Sequence, residues 1–301
     1  MISSLRKKIW SKASRIDRLG AIERKLDAIE SHSHGARAVY LGNGRVLLKA
    51  VVFGANIAYI LEADDRLLAP WFIISGRYES SLTNWMVPRL RPDSVCVDVG
   101  ANFGYFTCLF ARFAPQGKVI GIEPDPTVFA ILRDNVLING FNGHASVINA
   151  AVSDNNGRLT LYRRTIRSGN TSIIKASDEF TSSLGELPVE AFEAPTFTVD
   201  QICADLGGRL DFLKIDVEGA EPLVFRGAQE AIRNNRQLNI IFEWSPAQMQ
   251  GAKFDLKEFI AKLKEYGFSP YSLNEDGFEK RMTYEELLCS SYMAGVVLRR
   301  V

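Results

Sequence analysis

Three carboxylates and a lysine lie close to the carboxyl ends of two apolar runs. In LDFLKIDVEG, side chains of an extended chain alternate, so Lys214 and Asp216 share one face and Ile215 takes the other. A lysine inside an apolar strand is expensive to bury without a partner, and Asp216 is placed to be that partner. Glu218 follows just beyond this run, and IIFEW carries Glu243 to a comparable height. Lys214, Asp216, Glu218 and Glu243 are therefore the candidate catalytic group. One carboxylate could act as general base on a hydroxyl. Alternatively, Asp216, Glu218 and Glu243 could hold a divalent metal through oxygen ligands. A purely structural ion-pair network around Lys214 is the plain alternative, and residue types alone do not choose among the three. A histidine base is not expected, because His144 precedes a strand and His32 and His34 sit in a Ser/Gly linker.

A second group reads as a ligand grip. SVCVDVGANFG ends a short valine-rich run in Asp98, Gly100, Asn102 and Gly104. Gly100 suits a tight turn, and Gly104 would let the chain approach a ligand as the next helix begins. KVIGIEPDP ends in Glu123, nineteen residues after Gly104, where an acid can accept hydrogen bonds from two ribose hydroxyls. The spacing G-x-N-x-G is not the G-x-G-x-x-G of dinucleotide sites. Asp98 directly before the turn is also awkward for a pyrophosphate but suits an ammonium or sulfonium, which points to S-adenosylmethionine.

These groups need a scaffold that brings strand ends together. From residue 94 onward, short valine- and isoleucine-rich runs alternate with helical patterns, the signature of a doubly wound, mostly parallel α/β sheet. Such sheets bind ligands outside the carboxyl ends of their strands. Seven strands are expected, one of them from ASVINAAVSD and the last two from GFSPYSL and SYMAGVVLRR. Three parts follow: an amphipathic helix and linker over 1–36, an α/β cap over 37–92, and the main domain over 93–301. Residues 157–198 interrupt the rhythm with a hairpin-like GRLTLYRR and a polar loop, as insertions that bind or cover ligands do. Within it, Gly169-Asn170-Thr171-Ser172 offers small polar groups for sugar hydroxyls, or is a plain loop.

The runs VCVDVGANFGYFT, VIGIEPDP, INAAVSD, FLKIDVEGAEPLVFRGA and IIFEW, in this order, resemble the FkbM-type methyltransferases, a family of class I S-adenosylmethionine-dependent enzymes with a Rossmann-like fold. The resemblance covers roughly 76–245. It implies that Asp98, Gly100, Asn102 and Gly104 surround the methionine part of the cofactor and that Glu123 holds the ribose. It implies that Pro124 and Asp125 shape the turn beside the adenine and that Ser153 and Asp154 contact the adenine ring, although Asp154 also reads as a turn cap. Glu79, in GRYES, matches a dipeptide of the family and would close over the cofactor, or is a solvated charge at a helix start. The implied acceptor is a hydroxyl of a sugar, polysaccharide or secondary metabolite. An N-methyltransferase on a protein or small molecule, and a non-catalytic nucleotide-binding scaffold, are the competing readings. Asp216-Val217-Glu218-Gly219 stands where amino-group methylation would favour an Asn/Asp-Pro-Pro-aromatic motif.

Composition sets the remaining bounds. With 36 Lys+Arg against 35 Asp+Glu there is no overall basic field, which disfavours nucleic acid as partner. The basic start lacks the apolar run of a secretory leader, so a cytoplasmic location is expected. Cys96, Cys108, Cys203 and Cys289 have no metal-ligand spacing and read as reduced thiols. Ile2, Leu5, Ile9, Ile16, Leu19, Ile22, Leu26 and Ile29 form one apolar stripe beside a basic cluster around Trp10. That stripe suits packing on the chain itself, self-association through residues 1–30, or peripheral contact with the inner face of a membrane. Glu221 complements a helix N-terminus, and Trp244 either stacks on a sugar or caps the core.

Overall fold

The computed structural model describes residues 38–300 except 64, 66, 67, 165–168, 170 and 184–187. The helix expected over 1–30, the linker histidines and Asn170 lie outside the described residues.

In chain order the strands are β1 (Val39–Gly42), β2 (Arg45–Val52), β3 (Ala55–Glu62), β4 (Val95–Val99), β5 (Lys118–Ile122), β6 (Ala145–Ile148) and β7 (Ala151–Val152). They continue with β8 (Gly157–Arg163), β9 (Glu190–Phe197), β10 (Phe212–Ile215), β11 (Asn239–Trp244), β12 (Phe268–Leu273), β13 (Glu279–Arg281) and β14 (Met293–Arg300). The main sheet has the order β13-β12-β14-β11-β10-β4-β5-β6. β6, β5, β4, β10 and β11 are mutually parallel, and β14 enters antiparallel between β11 and β12. From β4 the order runs to β5 on one side and to β10 on the other, so the switch point lies between β4 and β10. β4 and β10 are buried along their whole lengths, which is why apolar residues dominate both, with Asp98 and Lys214 side by side as the exceptions. This is the expected α/β class, a Rossmann-like sheet.

Three details differ from the sequence reading. The sheet has eight strands, not seven, because β13 pairs antiparallel with β12; EKR is too short and too charged to read as a strand. ASVINAAVSD does not form one strand. The Asn149 side chain donates to the carbonyls of Glu123 and Pro124 (2.9 and 3.0 Å), the chain turns out of the sheet, and β7 pairs instead with β9. GRLTLYRR is not a local hairpin, since β8 pairs with β9 from Gly157↔Thr196 to Arg163↔Glu190 across the insertion.

β1–β3 form a separate antiparallel sheet tied to the helix Pro126–Ile138. Buried Asn135 accepts from Ile60 N (2.6 Å) and donates to Ile60 O (2.9 Å) and Phe103 O (2.7 Å). Asn139 makes the same pair of bonds with Ala58 (2.9 and 2.7 Å). One helix thus holds both the edge of the cap and the loop after β4. Tyr59, Phe72, Phe103 and Tyr105 close the gap with ring centroids 5.4–6.3 Å apart, mostly edge-on or tilted, as aromatic quadrupoles prefer. Helices Leu68–Ser75 and Ser80–Met86 then carry Glu79 to the carboxyl edge of the main sheet. Cys96, Cys108 and Cys203 are buried free thiols, and Cys289 is exposed.

Candidate active site

A cavity of about 500 Å³ opens at the switch point. Its lining includes Glu79, Gly100, Asn102, Glu123, Pro124, Lys214, Asp216, Glu218 and Glu243 from the expected set. The ligand grip and the carboxylate group thus face one space. Glu123 follows β5 and Glu243 lies in β11, three strand spacings apart, or about 14 Å.

The grip is held by its neighbours. Gly100 N and Ala101 N donate to Ile122 O (3.0 and 2.9 Å). Glu123 accepts from Asn102 N through Oε2 and from Asp125 N through Oε1, both at 2.9 Å. Burial pushes the Glu123 carboxyl up to about 8, although these two amide bonds oppose the rise. Gly100 and Gly104 have φ of +73° and +90°. A Cβ on Gly100 would come within 1.8 Å of Asp216 O, and one on Gly104 within 2.5 Å of Leu132 Cδ1. Gly104 therefore serves close packing between helices, not approach to a ligand, and it is not in the cavity lining.

Asp98, Asp125, Ser153 and Asp154 are also outside the lining. Asp98 lies beside Lys214 in the β4–β10 register and accepts from the Thr107 hydroxyl (2.6 Å), between sheet and helix. Asp125 caps the helix Pro126–Ile138 through Thr127 N (2.8 Å) and pairs with Arg163 (3.2 Å). Asp154 pairs with Arg226 (3.2 Å). The break after β6 brings Ala150–Val152 to the cavity in place of Ser153 and Asp154.

Lys214 is the hinge between the two groups. It is 4% exposed, its Nζ lies 2.9 Å from Asp216 Oδ2, and it sits 4.8 Å over the Phe106 ring. Burial opposes its charge, but Asp216, Glu79 and Asp98 more than compensate and hold it protonated. Glu79 is pushed up to about 7 by burial, with Lys214 pulling the other way. Glu243 is pushed up to about 10 by burial, then by Asp216 and Glu218. Carboxylate oxygens of Asp216, Glu218 and Glu243 lie within 4.8 Å of one another. Glu79, Asn102 and Glu218 hold left-handed backbone conformations at φ of 43°, 49° and 53°, each costing of order 1–3 kcal/mol.

Tyr292 and Gln248 were not singled out from sequence, whereas Ser172, Gly169, Thr171, Glu221 and Trp244 were. Tyr292 stands with Glu243 in the cavity lining, and Gln248 donates to Glu218. The Ser172 hydroxyl donates to Glu218 O (2.8 Å), which pins the insertion against the site, and Gly169 and Thr171 line the cavity. Glu221 is fully buried and accepts from Val217 N and Gly219 N (3.2 and 3.3 Å), so it clamps the turn that carries Glu218. Trp244 is a core residue, stacked at 14° on Phe259 and donating to Ser290 O (3.3 Å). Tyr292 had a signal: β14 runs antiparallel, so its amino end lies at the carboxyl edge of the parallel strands, with Met293 opposite Trp244. His144 bonds to Ala111 O (2.9 Å) away from the cavity.

A doubly wound sheet with a glycine turn, a strand-end acid and a carboxylate group around one cavity defines a nucleotide-cofactor enzyme. A family profile described as the Methyltransferase FkbM domain matches residues 98–270, and the chain belongs to that methyltransferase family. A second profile, described as Vibrio cholerae RfbT protein, matches residues 15–177. The 31-O-demethyl-FK506 methyltransferase FkbM of Streptomyces tacrolimicus is 31% identical over 208 residues, covering 60% of this chain and 75% of that protein. The 2-O-methyltransferase NoeI of Sinorhizobium fredii is 26% identical over 184 residues (58% and 73%). The methyltransferase sdnD of Sordaria araneosa is 25% identical over 203 residues (60% and 76%). Among solved structures, the methyltransferase FkbM from Methylobacillus flagellatus is 14% identical with a TM-score of 0.44. That match covers 75% of this chain and 52% of the other, about half its length.

Proposed function

We propose that this chain is an S-adenosylmethionine-dependent O-methyltransferase acting on a hydroxyl of a sugar, polysaccharide or secondary metabolite. The observation that carries the reading is the single cavity shared by the Gly100–Asn102 turn, Glu123 and the Lys214–Asp216–Glu218–Glu243 group. The residues present fit the cofactor. Asn102 Oδ1 and Glu79 Oε2 are buried without a hydrogen-bond partner, and Glu123 stands at a strand end facing the cavity. When bound, S-adenosylmethionine supplies a methyl group on a sulfonium, which needs no metal for activation. Gly100, Asn102 and Glu123 would hold it, and Glu79 would approach from the cap.

The acceptor's hydroxyl must lose a proton, and Asp216 and Glu218 are the carboxylates in the cavity lining placed to take it, while burial keeps Glu243 protonated. A general-base role is favoured over a divalent metal. Asp216 is already balanced by Lys214 and Gln248 donates to Glu218, so these oxygens serve organic partners. The names of two relatives, a 2-O-methyltransferase and a 31-O-demethyl-FK506 methyltransferase, support oxygen as the acceptor atom. We place the enzyme in the cytoplasm, with residues 1–30 serving self-association or membrane contact. Deleting them and measuring solution mass and liposome binding tests that assignment.

The test of function is calorimetric titration with S-adenosylhomocysteine, then a screen of glycan and polyol acceptors with methyl-labelled cofactor. Micromolar binding that Glu123→Ala abolishes, followed by alkali-stable methyl ethers, is expected. Label found on amines would move the chain to N-methylation, and a folded protein that binds no cofactor would be a scaffold.

A further inference from the structure

Trp244, open from its sequence position to a role as sugar platform or core cap, lies in the core. Its indole also fixes the segment that leads into β14, because Nε1 donates to Ser290 O (3.3 Å). Tyr292 belongs to that segment. Met293 pairs with Trp244 in the β11–β14 register, so Tyr292 stands at the carboxyl edge of β11 and shares the cavity lining with Glu243 and Ser245.

Tyr292 lines the cavity and yet is 56% exposed. Single exposed aromatics are common on protein surfaces, but one at the rim of a cavity is placed to touch what enters. Burial, then Glu243, Asp216 and Glu79, push the Tyr292 hydroxyl above its usual pKa, so the polar end of the ring faces the carboxylates. The ring faces are left open. Tyr78, Tyr105 and Phe106 in the same lining pack on one another, whereas no other aromatic ring among the described residues packs on Tyr292. Neutral hydrogen-bonding groups complete this end. Ser245 and Gln248 are in the lining, and Thr171 joins them next to Ser172, whose hydroxyl donates to Glu218 O. The nucleoside grip is distant: β14 lies four strand spacings from β5, about 19 Å.

Resting on the methyltransferase reading above, we propose that Tyr292 is the platform on which the acceptor stacks, and that the acceptor is a pyranose-type ring and not an open-chain polyol. Such a ring has C–H groups on its faces and hydroxyls around its edge. Its face matches the open side of Tyr292, and its edge matches the amide and hydroxyls of Gln248, Ser245 and Thr171. Stacking removes apolar area from water and directs an edge hydroxyl toward Asp216 and Glu218. A ring is already rigid, whereas an open chain loses rotamer freedom to present the same hydroxyls.

The experiment follows transfer from methyl-labelled S-adenosylmethionine by the full chain to two matched acceptor sets, methyl pyranosides and the alditols of the same sugars. Calorimetry with S-adenosylhomocysteine accompanies each variant. The expected result is a kcat/KM at least tenfold higher on the best pyranoside than on its alditol. Tyr292→Ala should raise KM for that pyranoside at least fivefold, while kcat and S-adenosylhomocysteine affinity stay within twofold. Tyr292→Phe and Tyr292→Trp should bring KM back to within twofold, because each keeps an aromatic face. Equal use of alditols, or no transfer to any pyranoside by a protein that binds S-adenosylhomocysteine, overturns ring recognition and leaves the cofactor reading intact. An unchanged KM in Tyr292→Ala, or a Tyr292→Phe variant as impaired as Tyr292→Ala, overturns the stacking role. A parallel loss of S-adenosylhomocysteine affinity in Tyr292→Ala overturns it too, by assigning the residue to the cofactor. A folded protein that binds no S-adenosylhomocysteine overturns the methyltransferase reading itself.

Discussion

Gly100 and Gly140 form a matched pair that separates backbone strain from close approach. Their φ values are +73° and +71°, so alanine pays nearly the same conformational cost at either, roughly 1–2 kcal/mol. Their surroundings differ. A Cβ on Gly140 meets nothing within 4 Å, whereas one on Gly100 falls 1.8 Å from the Asp216 carbonyl oxygen. Relief of that contact requires the turns after β4 and β10 to part by more than an ångström, and overpacking of this kind adds about 1–3 kcal/mol. Gly140→Ala should therefore lose about 1–2 kcal/mol in urea unfolding, and Gly100→Ala about 2–5 kcal/mol. The parting moves Asp216 relative to the Asn102–Glu123 grip. Affinity for S-adenosylhomocysteine should fall at least tenfold in Gly100→Ala and stay within twofold in Gly140→Ala. Equal stability loss in the two variants, or unchanged ligand affinity in Gly100→Ala, would refute the claim that this contact holds the halves of the site in register.

Three further outcomes are expected. Glu123 carries a pKa of about 8 against an ordinary 4.5, so the folded state keeps a proton that the unfolded chain releases; its contribution to stability falls as pH rises through that window. Glu123→Gln should remove this pH dependence in melts at pH 5 and 8, yet weaken S-adenosylhomocysteine binding, because an amide oxygen cannot serve both backbone donors well. Lys214→Met leaves Asp216, Glu79 and Asp98 uncompensated and should cost about 3–5 kcal/mol, with the larger loss at pH 8, where carboxyls ionise. Ser172→Ala removes the 2.8 Å bond to Glu218 O; it should change global stability by less than about 1.5 kcal/mol while speeding tryptic cleavage after Lys175.

Much of the scaffold was legible because buried parallel strands leave an unmistakable pattern. VCVDV and FLKI are buried on both faces, with Asp98 and Lys214 as their charged members, so their positions and their role in the sheet could be read directly. The acids at or just after strand ends, Glu123, Asp216, Glu218 and Glu243, were legible for the same reason, since such sheets gather ligands at that edge. Which side chains face the cavity was harder. Asp98 and Asp125 have the right types and positions but are turned toward Thr107 and toward a helix start. The glycines were correctly read as special, but at Gly104 the demand comes from Leu132 and not from a ligand. Ser153 and Asp154 were displaced by the Asn149 bonds that end β6 early, a tertiary event with no local signature. Tyr292, Gln248 and Ser172 reach the site from distant segments, and only the topology brings them together.

A crystal structure of the protein with S-adenosylhomocysteine would test the central claim most directly. The account predicts both ribose hydroxyls on the Glu123 carboxyl, the amino-acid end beside Gly100 and Asn102, and the sulfur directed toward the Asp216–Glu243 end of the cavity. A ligand bound elsewhere, or a ribose that does not touch Glu123, would contradict it.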